Sequence, residues 1–295
     1  DNPIKFIKKN NSSKPWGTIA LLGHLSSNSE FTNVIIDGGS GGNFNQINFT
    51  SMLSLHNTKN IKLKKIKLTN HSKYDDMIHI IYCDGITIDK AELAGSFGDA
   101  IDVDISRNII IRNSKFLDSK NDAIDFMESE ALVDSVNIVG SNDKGISVGE
   151  SSNILIYNTI FKDNDIALAV KDKSVARVLN ANFENNRTQL SAYRKNWQYG
   201  SGGDAYIYRS YFKSDKNLIK SSSESSLLIN DVSIVGKKLI EGKNIKVKNV
   251  DFFENFNKEE ILKTKKSKEK NNLILDHPMF AIISKIENEN RGIKN

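Results

Sequence analysis

The residues best equipped for chemistry are carboxylates gathered in residues 99–150, where Asp99, Asp102, Asp122 and Asp125 recur in the blocks DAIDVD and DAIDF. Aligning these blocks with DDMIH before them and DKGISVGE after them produces three columns. One runs Asp76, Asp99, Asp122, Lys144; the next His79, Asp102, Asp125, Ser147; the third Ile81, Asp104, Met127, Gly149, Lys171. All three are expected to face outward. Carboxylates stacked at the strand spacing of about 4.8 Å repel one another. Such crowding raises their pKa values and their affinity for protons or divalent cations. Paired carboxylates can act as acid and base at a glycosidic bond, and a carboxylate set can hold Ca²⁺ against a uronate. Asp99, Asp102, Asp122 and Asp125 are therefore both candidate catalytic acids and candidate Ca²⁺ ligands. Lys144, Lys171, Lys173, Arg194 and Lys195 lie just beyond them, and an acidic patch beside a basic one suits an acidic sugar chain. Lys144 and Lys171 are candidate catalytic residues, with Lys144, Lys171 or Lys195 removing a C5 proton. His79 is a second candidate base. His79, Tyr193, Arg194, Lys195 and Trp197 are candidate substrate contacts. The acids also have a plain structural reading, because Asp favours turns and a bound cation can simply hold a stack together.

The elements that carry these residues are repeats. Nine similar segments begin at Ile61, Ile86, Ile109, Ala131, Ile154, Ala176, Ala205, Leu227 and Ile245, mostly 22 or 23 residues apart. Their first, third, sixth and eighth places are mostly apolar, and period-two alternation in units this short means strands. Stacked short-strand units of this length predict an all-β, single-chain right-handed parallel β-helix of about nine coils. The LxxLxLxxN pattern of leucine-rich repeats is absent. Phe116, Phe161, Phe183, Phe212 and Phe252 share a repeat position and are expected to stack as an interior column. Asn113, Asn158, Asn180 and Asn249 share another, read as a bend with an amide ladder. The spacing is widest where YRKNWQYGSGG, from Tyr193 to Gly203, lengthens one coil, a long loop of the kind that often carries function. The chain divides into residues 1–50 (N-terminal strands and cap), 51–254 (β-helix) and 255–295 (charged linker and a cap over the last coil).

Composition narrows the functional classes. The chain has 295 residues, is 38% hydrophobic and contains three prolines, which suits a solenoid with wet outer faces. Its formal charge is +5 and its pI about 9.0. Acidic residues are nearly as plentiful as basic ones and no nucleic-acid motif accompanies the charge, so nucleic acid is not an expected partner. Cys83 is the one cysteine, so no disulfide forms within the chain. No apolar run is long enough to span a membrane. A start at Asp1 suggests a trimmed chain, and a secreted or cell-surface setting is expected, with a cytoplasmic one also open. A monomer is expected, a trimer being the other possibility.

The succession DAIDVDISRNIIIRN, NDAIDF, DKGISVGE resembles the polygalacturonase-type glycoside hydrolases of the pectin-lyase-like superfamily. Those enzymes carry Asn-Thr-Asp, Gly-Asp-Asp, Gly-His-Gly and Arg-Ile-Lys on successive coils. On that resemblance Asp99 matches the first aspartate, Asp122 the second of the acidic pair, and Gly145 to Val148 the segment after the histidine. Asn121 stands at the general-acid position, Lys144 at the histidine, and Lys171 is nearest to the final basic motif. An amide cannot donate the proton an acid donates. The blocks are also similar to a β-helix group of bacterial surface proteins associated with CotH-like proteins, which implies an extracellular setting. Two functions follow as expectations. One is a protein binding an acidic polysaccharide or cell-surface glycan and cleaving or epimerising it as lyase, epimerase or hydrolase. The other is a non-catalytic surface or polysaccharide-binding module whose acidic ladder holds a structural cation.

Overall fold

Each coil is built from runs whose alternate residues are apolar, because a strand points successive side chains to opposite faces. Ile101–Asp104 shows the rule: Ile101 and Val103 are fully buried while Asp102 and Asp104 stay half-buried on the outer face. In the computed structural model, which describes residues 2–9, 13–253 and positions 277, 279 and 281, this strand is followed by Ile109–Arg112 and Lys115–Leu117. The next coil repeats the trio as Ile124–Met127, Glu130–Asp134 and Asn137–Val139. Equivalent strands pair in parallel, Asp102 with Asp125, Ile111 with Val133 and Phe116 with Ile138. Among the described residues twenty-five strands join in this way, and the protein is a right-handed parallel β-helix.

Inside, one ladder runs Ile78, Ile101, Ile124, Ile146, Leu168, Leu190, and its neighbour runs Ile80, Val103, Phe126, Val148, Val170, Ala192. All twelve are buried, and a fully buried aliphatic side chain contributes about 1.5–3 kcal/mol. Phe161, Phe183 and Phe212 stack nearly parallel, with ring centroids 4.9 and 4.7 Å apart. Phe116 shares the column but is separated from them by Ile138. Phe252 departs from the expected interior column: it pairs with buried Ile234, yet is 56% exposed, because no further described coil covers it.

Three corners turn each coil through left-handed backbone, one of them running Asp118, Gly140, Asp163 and Asn185. Asn113, Asn158, Asn180 and Asn249 have φ between 47° and 58°, the region Asn tolerates best. Three of them donate to a side chain one coil back, Asp89, Asn158 and Asn230. The remaining corner places Ile105, Glu128 and Glu150 at positive φ. Beside it runs a buried ladder absent from the sequence reading. The backbone N–H groups of Cys83, Ser106, Ser129 and Ser152 donate to the hydroxyls of Ser106, Ser129, Ser152 and Ser174 at 2.9–3.1 Å. Cys83 occupies the serine's place at the head of it and is buried.

The parallel stack already includes residues before 51, since Ile19–Leu22 pairs with the strand Ser51–His56 and Glu30–Asp37 with Lys62–Thr69. The expected linker and cap after residue 254 lie outside the described residues, apart from three positions. Of these, Met279 packs with Leu132, Leu155, Tyr157 and Tyr208, on the flank of the middle coils and not over the last one. Among the described residues no helix is long and apolar enough to cross a membrane.

Candidate functional site

The site lies on the outer face of the sheet that holds Asp76–Ile81, Ile101–Asp104, Ile124–Met127, Lys144–Gly149, Ile166–Lys171 and Thr188–Tyr193. The expected registers hold: His79, Asp102, Asp125 and Ser147 stand on successive rungs. The column of Asp76, Asp99 and Asp122, expected to face outward, does not. These three sit at the corner that opens each strand and are buried. There the turn leaves backbone donors to satisfy. Asp99 Oδ1 accepts the Asp122 N–H at 2.7 Å, and Asp122 Oδ1 accepts the Lys144 N–H at 2.9 Å. Asp76 accepts the Thr50 hydroxyl at 3.1 Å.

Burial is the main force on this buried column. It lifts Asp76 to about 8, helped by the Asp75 and Asp99 charges. It lifts Asp99 to about 7, with Asp122 adding repulsion and the Asp122 N–H resisting. Burial lifts Asp122 to about 6 even though the Lys144 ammonium pulls it down.

Asp102 and Asp104, two residues apart, share the outer face of one strand, and His79 is the register partner of Asp102. His79 Nε2 lies 3.2 Å from Asp104 Oδ2 and 3.9 Å from Asp102 Oδ2. Among the described residues this is the only His/Cys/Asp/Glu group of three or more whose ligand atoms all lie within 4.8 Å of one another. Burial raises the Asp102 pKa, and Asp104, Asp76, Asp125 and Asp99 raise it further. The four-aspartate cation set does not converge, then. Asp99 and Asp122 give oxygens to backbone, and Asp125 Oδ1 faces the Lys171 ammonium at 4.0 Å. Such a set does not fit the all-oxygen shell of six to eight ligands that Ca²⁺ takes.

Both lysines are held as cations. Burial opposes the Lys144 charge, but Asp122 and a hydrogen bond to Asp143 outweigh it, so its pKa rises. Lys171 is also buried, and Asp125 and Glu150 raise its pKa against that burial. An ammonium held this way suits charge neutralisation better than the proton abstraction expected of it. Tyr193 is the register partner of Lys171 on the next coil. Burial raises its pKa, while Lys144 and Lys171 pull in the opposite direction.

The long loop folds back along the corner. The Lys195 and Asn196 N–H groups both donate to Asp172 Oδ1, at 2.7 and 2.8 Å. Asn196 Nδ2 reaches Glu150 and the Tyr199 hydroxyl reaches Glu128, successive corners of the same edge. The loop thus walls one side of the face. Arg194 is paired with Glu224 at 2.9 Å, and Trp197 is 83% exposed. On the floor, Asp125 Oδ1 and Ser147 Oγ are buried on adjacent rungs without a hydrogen-bond partner. Asp104 was findable as a site residue from its i, i+2 spacing to Asp102, and Glu128 and Glu150 from their repeat step. Thr50 carries no sequence signal, because only the fold brings its loop against His79.

Residues 51–219 match the family described as right handed beta helix region. No curated protein matches the chain in sequence. Among solved structures the chain is similar to an alginate lyase from Paenibacillus sp. str. FPU-7. The TM-score is 0.59 at 13% identity, covering 79% of this chain and 93% of that one. It is also similar to a hyperthermoactive exopolygalacturonase from Thermotoga maritima, with a TM-score of 0.52 at 14% identity, covering 77% and 71%. At these identities the likeness establishes the fold and nothing finer.

Proposed function

This chain belongs to the right-handed beta-helix family, and on that premise we propose that its walled face binds an acidic polysaccharide and abstracts a proton from it, as a lyase or epimerase does. The observation that carries this reading is the floor of the face. Ser147 Oγ and Asp125 Oδ1 are buried without a hydrogen-bond partner, Asp125 Oδ1 standing 4.0 Å from the Lys171 ammonium. A buried unpaired oxygen costs about 1–3 kcal/mol, which a sugar hydroxyl would relieve. In this reading Lys171 offsets the charge of a uronate carboxylate. Asp125 and the Tyr193 hydroxyl handle the proton, and Trp197 offers an exposed ring for stacking. An alginate lyase and an exopolygalacturonase share the fold, and the substrate class in their names is what this proposal carries over. Hydrolysis is left aside because Asn121 replaces the general acid of the polygalacturonase pattern. The same reading sets the protein outside the cell or on its surface, acting as a single chain and without nucleic acid.

The test is incubation with alginate and with polygalacturonate, following unsaturated uronate products by ultraviolet absorbance and C5 inversion by NMR. Asp125→Asn and Lys171→Ala are each expected to cut turnover by about 10²-fold or more. Turnover that survives both substitutions overturns these assignments. Binding without product by either assay would establish the second reading, a non-catalytic module, which the tight pairing of Lys144 with Asp122 and Asp143 favours.

A further inference from the structure

We propose that His79, Asp102 and Asp104 form a binding site for one divalent cation of the zinc, manganese or cobalt type. The first argument is placement. Two adjacent rungs supply all three ligands to one face, with His79 and Asp102 in register and Asp104 on the same side of the same strand. Two ligand atoms on a tetrahedral ion with bonds of about 2.0–2.1 Å stand about 3.3 Å apart. His79 Nε2 and Asp104 Oδ2 are already 3.2 Å apart, and Asp102 Oδ2, at 3.9 Å from the same nitrogen, needs only a small movement.

The second argument is the proton inventory around the imidazole. The Thr50 hydroxyl, 3.1 Å from Asp76 and 3.4 Å from His79 Nδ1, gives that ring nitrogen a hydrogen-bond partner of its own. Nε2 is thereby turned on two carboxylates, where an N–H can satisfy only Asp104, at 3.2 Å, while a bound cation would engage both oxygens and the ring nitrogen together. Orientation of one ring nitrogen by an outer hydrogen bond is how a ligating histidine is held. The His56 ring packs edge-on against His79 at 5.0 Å and limits its rotation.

The third argument is charge. Among the described residues no Lys or Arg pairs with Asp102 or Asp104, and the Asp102 carboxylate accepts no hydrogen bond, its basic neighbour being His79 at 3.9 Å. The nearest ammonium groups serve the following rungs: Lys144 serves Asp122 and Asp143, and Lys171 serves Asp125. One imidazole nitrogen with two carboxylates suits zinc, manganese or cobalt better than calcium. Three protein ligands leave a fourth position open toward the face for a water or a sugar oxygen.

The test is calorimetry on chelator-stripped full-length protein with Zn²⁺, Mn²⁺, Co²⁺ and Ca²⁺ in turn, with no sugar present. The outcome is therefore independent of the polysaccharide reading. One ion per chain is expected, with at least one of the first three binding more tightly than Ca²⁺. Substitutions His79→Gln, Asp102→Asn and Asp104→Asn should each weaken binding more than about 10-fold. Asp165→Asn, three coils further on and paired with Arg187, should leave binding within about 2-fold. Circular dichroism of each variant confirms that the coil stack is intact, and Co²⁺ absorbance reports an imidazole-bound ion directly. Absence of binding by all four ions overturns the proposal. So does binding that is unchanged in a folded His79→Gln variant, which would mean that the imidazole is no ligand and the acidic surface is unselective.

Discussion

At the scale of single residues, the acids divide by location and not by type. Asp76, Asp99 and Asp122 are corner residues that bind hydroxyl or backbone donors, whereas Asp102, Asp104 and Asp125 look onto the open face. Asp76 makes the division measurable. Its pKa rises from 3.8 to about 8 on folding, mainly through burial. The folded chain therefore keeps a proton that the unfolded chain releases above about pH 4. Folding is favoured in acid, and this residue's contribution is lost progressively from about pH 4 to about pH 8, then levels off. Asp76→Asn, which stays neutral and can still accept from Thr50, should raise stability at pH 8 by on the order of 1 kcal/mol or more. At pH 4 it should change little. Urea denaturation at both pH values, with chelator present, checks this; an equal effect at the two would show that Asp76 is charged in the folded chain.

At the scale of the element, the corner beside the face is held by serine hydroxyls. Each hydroxyl accepts the N–H of the serine one coil earlier; Ser129 also donates to the Met127 carbonyl at 2.8 Å. Ser129→Ala would orphan the buried Ser106 N–H at a cost of about 1–3 kcal/mol. A lower melting temperature is expected, with faster amide exchange around Ser106. An unchanged melting curve would mean that water replaces the hydroxyl. The consequence reaches the site, because Asp102, Asp104 and Asp125 are placed by strands that end at this corner. The long loop depends on the same edge, being tied to Asp172, Glu150 and Glu128 in turn.

At the scale of the whole molecule, stability comes from each coil covering the next, so position along the stack decides what a side chain is worth. Phe183 lies between Phe161 and Phe212 and is fully buried, while Phe252, in the same column, is mostly exposed. Phe183→Ala should cost about 3–5 kcal/mol, and Phe252→Ala less than about 1 kcal/mol. Equilibrium denaturation in urea separates them, and equal losses would show that the last described coil is as well covered as the middle ones.

The period of 22 or 23 residues and the alternation within it determined the coil, the registers of the face and the aligned carboxylate columns, because strand pairing repeats side chains at one spacing. The residues of the YRKNWQYGSGG loop were also legible as a break in that period. Repetition alone does not say which way a corner residue points. Asp99 and Asp102 look alike in DAIDVD, yet one turns its carboxylate to the backbone of the next coil and the other to the open face. The convergence of His79 with Asp102 and Asp104, and its support by Thr50, was likewise decided by tertiary structure. Those contacts join residues 23 to 29 positions apart, and a distance of 3.2 Å depends on rotamers and on a loop that the repeat does not govern. The sequence determined which residues share a face. Folding in three dimensions decided which of them keep their charges free to act.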